Sequence, residues 1–423
     1  MSQSDVIDIT DLANPVLNEA SKAALAAVAE VLVNFDPQSI LDEASQDVSL
    51  DDFGPMDFLP RLSLLCDEWG QNPDISNLGR LGLRAKLLLF ARSRLLIQNL
   101  LNQHPEIHDV QITAPIIVAG LPRSGTTHLL NLMAADSRLR ALPLWESYEP
   151  VPQPHESRDE NGQDPRWLRC QQQWEMTQQL TPHLAAMHPM NPDHIHEELE
   201  LMGPNFGSYN FEWLAHSPRW RDDYYQTDQS GQYDYMKTVL KILTWQDGDH
   251  DGSKTRWVLK CPQHLEQLPI LLKTFPDATI PITHRDPIEV IQSALTMVAY
   301  GRRVTCNHIN IKELAEYWPD RIHHLLEACV RDRHVLPEAQ SIDVLFHEFM
   351  ADDIAMVARI YDKAGLEFTQ QAREELNNFM AHHQRGKYGR VRYHLERDFG
   401  LSPEALRARF DFYFNAFAVK STK

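Results

Sequence analysis

A short apolar, β-branched run, Ile116-Ile117-Val118-Ala119, feeds directly into Gly120-Leu121-Pro122-Arg123-Ser124-Gly125-Thr126-Thr127, and an apolar helical stretch, His128 to Ala135, follows. Few folds accept that order. A strand buried on both faces, a glycine-bearing turn and then a helix together open a parallel α/β unit. Gly120 and Gly125 have the spacing of the nucleotide P-loop, G-x-x-x-x-G-K-[ST], in which loop amides at a helix N-terminus cradle an anion. The amides of Ser124, Gly125, Thr126 and Thr127 fall where that cradle forms. The motif's lysine position holds Thr126, and Arg123 supplies positive charge from a different place. The loop therefore suits a phosphate-like group better than a magnesium-bound triphosphate.

Two further segments repeat the pattern. Arg256-Trp257-Val258-Leu259 ends at Lys260, and Thr279-Ile280-Pro281-Ile282-Thr283 ends at His284-Arg285-Asp286-Pro287 before a helix, Ile288 to Tyr300. Strand then helix, repeated, predicts right-handed βαβ units. Pro281 counts slightly against the third strand. Arg285 stands at the carboxyl end of a parallel strand, where open sheets bind ligands, and an arginine there can grip a phosphate through two parallel hydrogen bonds. Asp286 and Pro287 read as N-cap and N1 of the next helix. The expected fold is α/β, a P-loop-type parallel sheet flanked by helices. Residues 1–110 read as a helical extension, with helices over Leu17 to Leu32, Ser49 to Phe53, Phe58 to Leu65 and Leu81 to Leu101, the first broken by Asp36-Pro37. Residues 111–423 form the anion-binding domain, with a mostly helical insertion over about 151–254.

These residues resemble a known family. Pro122 to Thr127 is similar to the 5′-phosphosulfate loop of sulfotransferases that use 3′-phosphoadenosine 5′-phosphosulfate (PAPS). The segments Arg256 to Pro262, Phe275 to Ala278 and Thr283 to Pro287, with Ser293 on the following helix, resemble the same family's centre. The resemblance runs from about Ile112 to the C-terminus. It implies that Arg285 and Ser293 bind the 3′-phosphate, and that Arg385, Gly386 and Lys387 belong to a basic loop closing over it. It also implies PAPS as sulfuryl donor, 3′-phosphoadenosine 5′-phosphate (PAP) as product, and no required metal. The acceptor would be a small, largely apolar molecule bearing a hydroxyl, with the helical extension capping its side of the cleft.

Sulfuryl transfer is an in-line displacement that builds charge on the departing phosphate oxygen, so cations near that oxygen and a base for the incoming hydroxyl are needed. Arg123 and Lys260 are the candidate cations. For the base, the resemblance favours Glu146 in Leu144-Trp145-Glu146, where a partly apolar cleft would raise the carboxylate pKa. His196, Glu197 and Glu198 remain competitors. His183, His188, His194 and His196 lack the i, i+4 spacing of H-E-x-x-H and have no cysteine partner, which argues against a metal site.

Composition narrows the rest. A formal net charge of −19 over 423 residues leaves no general affinity for nucleic acid, and a hydrophobic share of 43% is too high for a disordered chain. The most apolar stretch, Leu81 to Leu101, is interrupted by Arg84, Lys86, Arg92 and Arg94. No run reaches the ~20 apolar residues of a membrane span. Five scattered cysteines without a C-x-x-C pair fit reduced thiols and a cytoplasmic setting. Two rival readings are a kinase-like or NTP-hydrolysing P-loop enzyme without the usual lysine, and a non-catalytic PAP-binding protein.

Overall fold

The computed structural model describes residues 6–383 and 388–421. Arg385, Gly386 and Lys387 lie outside the described residues.

Among the described residues, six strands form two parallel sheets: β1 (Val6–Asp8), β2 (Ile116–Gly120), β3 (Val258–Cys261), β4 (Ile280–His284), β5 (Ser341–Leu345) and β6 (Arg390–Arg392). The central sheet has the order β3-β2-β4-β5, and β1 pairs with β6 in the second. Alternation sorts the central strands. Ile117, Ala119 and Leu259 face one apolar cluster, while Ile116, Val118 and Val258 face another, so β2 and β3 are covered on both sides. Pro281 does sit inside β4. Its register with β5 is continuous, but the β2–β4 ladder pairs only Ala119 with Ile282 and Gly120 with Thr283, plus an isolated bridge at Ile116. Pro281 has no N–H to give, and the interruption falls there.

The chain leaves β2 for β3 on one side and leaves β4 for β5 on the other. The connections diverge between the carboxyl ends of β2 and β4, which opens a crevice at that edge. The glycine-bearing loop and Arg285 both border it.

Residues 19–103 are mainly helical, with different boundaries from those expected. The first helix is shorter, Glu19–Ala27, and Ser49 to Phe53 is not helical. Asp36-Pro37 starts a helix rather than only ending one: the Asp36 carboxylate accepts the Ser39 amide at 2.8 Å, and Pro37 occupies N1 of Pro37–Val48. Asn77–Gln103 is the long helix of this segment. Leu62, Trp69 and Phe90 pack with Phe206, Phe211 and Trp220 of the insertion in one buried cluster. The insertion is pinned in turn by a buried ion network. Arg321 of the helix Ile311–Asp332 donates to Glu212 at 2.8 Å and to Glu266 at 2.7 Å. Glu212 precedes Trp213, and Glu266 closes the turn after Lys260, so this network fixes two walls of the crevice.

Candidate active site

The loop after β2 is built around close approach. A Cβ on Gly120 would lie 1.9 Å from Thr283 Oγ1 and 2.8 Å from Thr126 Cγ2, so only glycine lets the loop fold against β4. Ser124 is buried and its hydroxyl bonds Leu121 O at 2.6 Å and Thr283 Oγ1 at 2.7 Å, tying the loop across the crevice. Arg123 has φ 68° and Gly125 φ 92°. The left-handed region disfavours a non-glycine residue by roughly 1–2 kcal/mol, and at Arg123 that strain accompanies a side chain turned toward the ligand-binding edge. The helix Thr126–Met133 then begins, and its first amides have no intrahelical acceptor.

The side chains named from the sequence converge here. Arg123 Nε donates to Ser293 Oγ at 3.0 Å, and its terminal nitrogen to Met187 O. Arg285 donates to Arg123 O at 2.6 Å, lies 3.6 Å from Glu289, and stacks over Phe346 with its guanidinium carbon 4.3 Å from the ring centre. Two guanidinium groups and a hydroxyl therefore border one loop, an arrangement that suits an anionic ligand. Lys260, 1% exposed, enters from β3; its ammonium lies 3.5 Å from Thr127 Oγ1 and pairs with Glu197. A lysine thus reaches the loop from a neighbouring strand, beside the place where the P-loop motif would carry its own.

Glu198 has a structural task. It is fully buried, accepts the Lys260 amide at 2.8 Å and meets His264 Nε2 at 2.7 Å, while His264 Nδ1 meets Tyr233 OH at 2.8 Å. This chain of bonds fixes the Lys260 backbone and leaves Glu198 no oxygen for chemistry.

Beside the loop opens a cavity of about 330 Å³. Arg123, Thr126, Thr127, His196 and Glu197 line its polar end, and Leu184, Met190, Leu199, Trp213, Met297 and Val298 give it an apolar body. Every lining residue falls between Pro122 and Thr305, so the N-terminal helices stand behind this wall and do not form it.

Glu146 is not brought to this place. It is absent from the cavity lining and is held by Arg140 at 2.7 Å, whose Nε also donates to Asp247 at 2.9 Å. Arg140 pairs with Trp257 just before β3, at the amino end of the sheet. Burial does raise the Glu146 pKa, against the pull of Arg140, as the sequence suggested. The location differs from the one expected.

His188, His194 and His196 come together: one ring nitrogen from each lies within 4.8 Å of the other two. Sequence spacing did not suggest this grouping. Burial, with Lys260 nearby, holds all three pKa values below the ordinary histidine range, His194 at about 4. Each therefore takes up a proton less readily than an ordinary histidine. His196 Nδ1 is buried without a hydrogen-bond partner. Sequence reasoning weighed Glu197 only as a competitor, and no local motif signals its pairing with Lys260, which depends on β3 meeting a turn 63 residues away.

A model of the sulfotransferase family matches residues 115–370. The sulfotransferase STF1 from Mycobacterium tuberculosis is 28% identical, with 91% of this chain and 99% of that one covered at a TM-score of 0.76. The sulfotransferase STF9 from Mycobacterium avium shares the fold, at 24% identity, 90% and 97% coverage and a TM-score of 0.79. No curated protein matched the chain. With a family model spanning more than half of its length, the chain belongs to the sulfotransferase family.

Proposed function

We propose that the protein transfers a sulfuryl group from PAPS to a hydroxyl of a small, largely apolar acceptor. The observation that carries this reading is the contact between an anion-binding edge, formed by Arg123, Arg285, Ser293 and Lys260, and a mainly apolar cavity. The donor supplies an electrophilic sulfur and a phosphate leaving group. The loop amides and Arg123 hold its 5′ end, and Arg285 with Ser293 takes its 3′-phosphate. The acceptor oxygen forms a bond to sulfur as the bond from sulfur to the phosphate oxygen breaks. Lys260 and Arg123 stabilise the charge left on that oxygen.

The hydroxyl proton goes to Glu197 in this reading. Glu197 lines the cavity and touches Lys260, so base and leaving-group cation share one spot. A second reading gives the base role to His196, which also lines the cavity and has an unpartnered Nδ1. The N-terminal helices serve the acceptor side indirectly, by holding Phe206 and Phe211 and hence the wall that carries Trp213.

Calorimetry with PAP and AMP tests the donor assignment. A charged phosphate contact contributes about 1.5–3 kcal/mol, so PAP should bind at least about tenfold more tightly. Equal affinities would remove the two-phosphate reading. Tight magnesium-dependent ATP binding would favour a kinase-like enzyme, and PAP binding without turnover on any acceptor a non-catalytic protein.

A further inference from the structure

The helix Pro287–Thr305 carries Ser293 in the anion site, and then Met297, Gly301 and Thr305 at four-residue intervals, all three lining the cavity. Residues spaced by four share a helix face, so this face forms one continuous wall. From Met297 to Thr305, the stretch of this helix that lines the cavity, the axial rise is about 12 Å at 1.5 Å per residue. The cavity therefore has room for more of an acceptor than its reacting end. Gly301 keeps it open: a Cβ there would meet no atom within 4 Å.

The far end is polar. Arg302 lines this cavity and also a small adjoining one, the two meeting at Leu214, Arg302 and Thr305. Its terminal nitrogen is 3.3 Å from Glu313, so the positive charge is already matched. Its Nε is buried with no hydrogen-bond partner. A buried N–H without an acceptor is unfavourable, and a cavity beside it offers room for one to arrive with a ligand. Elsewhere on the lining, Asn210 donates to Glu200 at 2.7 Å, and Glu200 holds Lys86 at 2.8 Å, so these groups are already engaged.

We propose that the acceptor is an elongated, uncharged amphiphile with a second oxygen function at the end remote from its reacting hydroxyl. The apolar body lies along Met297 and Trp213, and the remote oxygen accepts a hydrogen bond from Arg302. A carboxylate is a poorer fit than a hydroxyl or carbonyl, because it would face Glu313. The inference rests on the cavity being the acceptor site of the proposed transfer.

The test uses α,ω-alkanediols and primary alkanols of equal length, titrated into the PAP-loaded protein and assayed with PAPS. Diols long enough to reach Arg302 should bind about tenfold or more tightly than the matching alkanols, and short pairs should not differ. Arg302→Gln should abolish the preference. Gly301→Leu should weaken long diols at least about tenfold more than it weakens short alcohols, and its PAP affinity by calorimetry reports that this variant is folded. Equal affinity of diol and alkanol at every length would overturn the proposal while leaving sulfuryl transfer intact. So would a Gly301→Leu effect independent of ligand length. If PAP binds but neither alcohol class binds or is sulfated, the acceptor reading of the cavity falls, and this inference with it.

Discussion

Replacing Glu197 by Gln separates two roles that the pair with Lys260 combines. Gln keeps the size of the side chain and an oxygen acceptor, but it loses the charge and the ability to take a proton. Lys260, 1% exposed, would then lack its carboxylate. Removing one partner of a buried ion pair destabilises by about 3–5 kcal/mol, and the remaining Thr127 contact and the open cavity place this case toward the lower figure. The free protein should therefore melt earlier. PAP should reverse most of that loss, because its 5′-phosphate offers Lys260 a new anion. In the wild type the ligand must compete with Glu197 for that ammonium. Removing the competitor should strengthen PAP binding by up to one charge-assisted hydrogen bond, about 1.5–3 kcal/mol or roughly 10- to 100-fold. Turnover should move the other way, with kcat falling about 10²–10⁴-fold, the usual contribution of a general base. The assays are calorimetry with PAP and single-turnover transfer to an alkyl alcohol, since a strongly acidic phenol ionises unaided and would hide the loss. Glu146→Gln is the control, and its kcat should stay within a few-fold of wild type. Retained turnover in Glu197→Gln together with unchanged PAP affinity would refute the reasoning. If His196→Asn then abolished transfer, the base would be His196.

Three further outcomes follow from other parts of the fold. Gly120→Ala should lower the melting temperature and weaken PAP binding, because overpacking against Thr283 and Thr126 costs about 1–3 kcal/mol; thermal shift with and without PAP checks this. His194 is held near 4 from an ordinary 6.5 by burial and by Lys260, so its stabilising effect is full above pH 6.5 and is lost as pH falls toward 4. Denaturant midpoints measured across that window should decline, and His194→Asn should flatten the decline. A chain starting at Gln111 should be poorly soluble, because Phe206, Phe211 and Trp220 would lose the apolar partners Leu62, Trp69 and Phe90; a soluble truncation with unchanged acceptor kinetics would contradict the buttress role of the prefix.

The parts of the fold legible in the sequence were those whose signal is local. The run from Ile116 to Ala119, its loop and the next helix lie within twenty residues, and their periodicity and turn chemistry agree with the structure. The helices expected over Leu81 to Leu101 and Ile288 to Tyr300 were similarly local in signal, and the structure extends them to Asn77–Gln103 and Pro287–Thr305. β5 was missed: Ser341-Ile342-Asp343-Val344-Leu345 is short, and Asp343 interrupts its apolar pattern. Asp343 is accommodated because Arg333 and His284 bond it at 2.9 and 3.0 Å, partners supplied only by the tertiary fold. β1 and β6 are three residues each and exist only as a pair between opposite ends of the chain, so no window of sequence could show either.

The candidate site divides along the same line. Arg123, Ser124, Arg285 and Ser293, named from glycine spacing, a strand end and a helix start, are local in sequence, and the structure brings them together. The base could not be fixed in that way. A carboxylate acquires that role from what stands opposite it, and here the Lys260 ammonium and the cavity wall come from segments that only the folded sheet brings together. Glu146 had the local attributes of a base, an adjacent tryptophan and an apolar surrounding that raises its pKa. It lacked one property invisible in sequence: its partner Arg140 lies toward the amino end of β3, whereas the glycine-bearing loop lies at the carboxyl end of β2. Glu197 is the converse, with an unremarkable local sequence and a decisive neighbour. In an open parallel sheet, which end of the strands a side chain reaches outweighs its type or its intrinsic acidity, and that property assigns the proposed chemistry to Glu197 and Lys260.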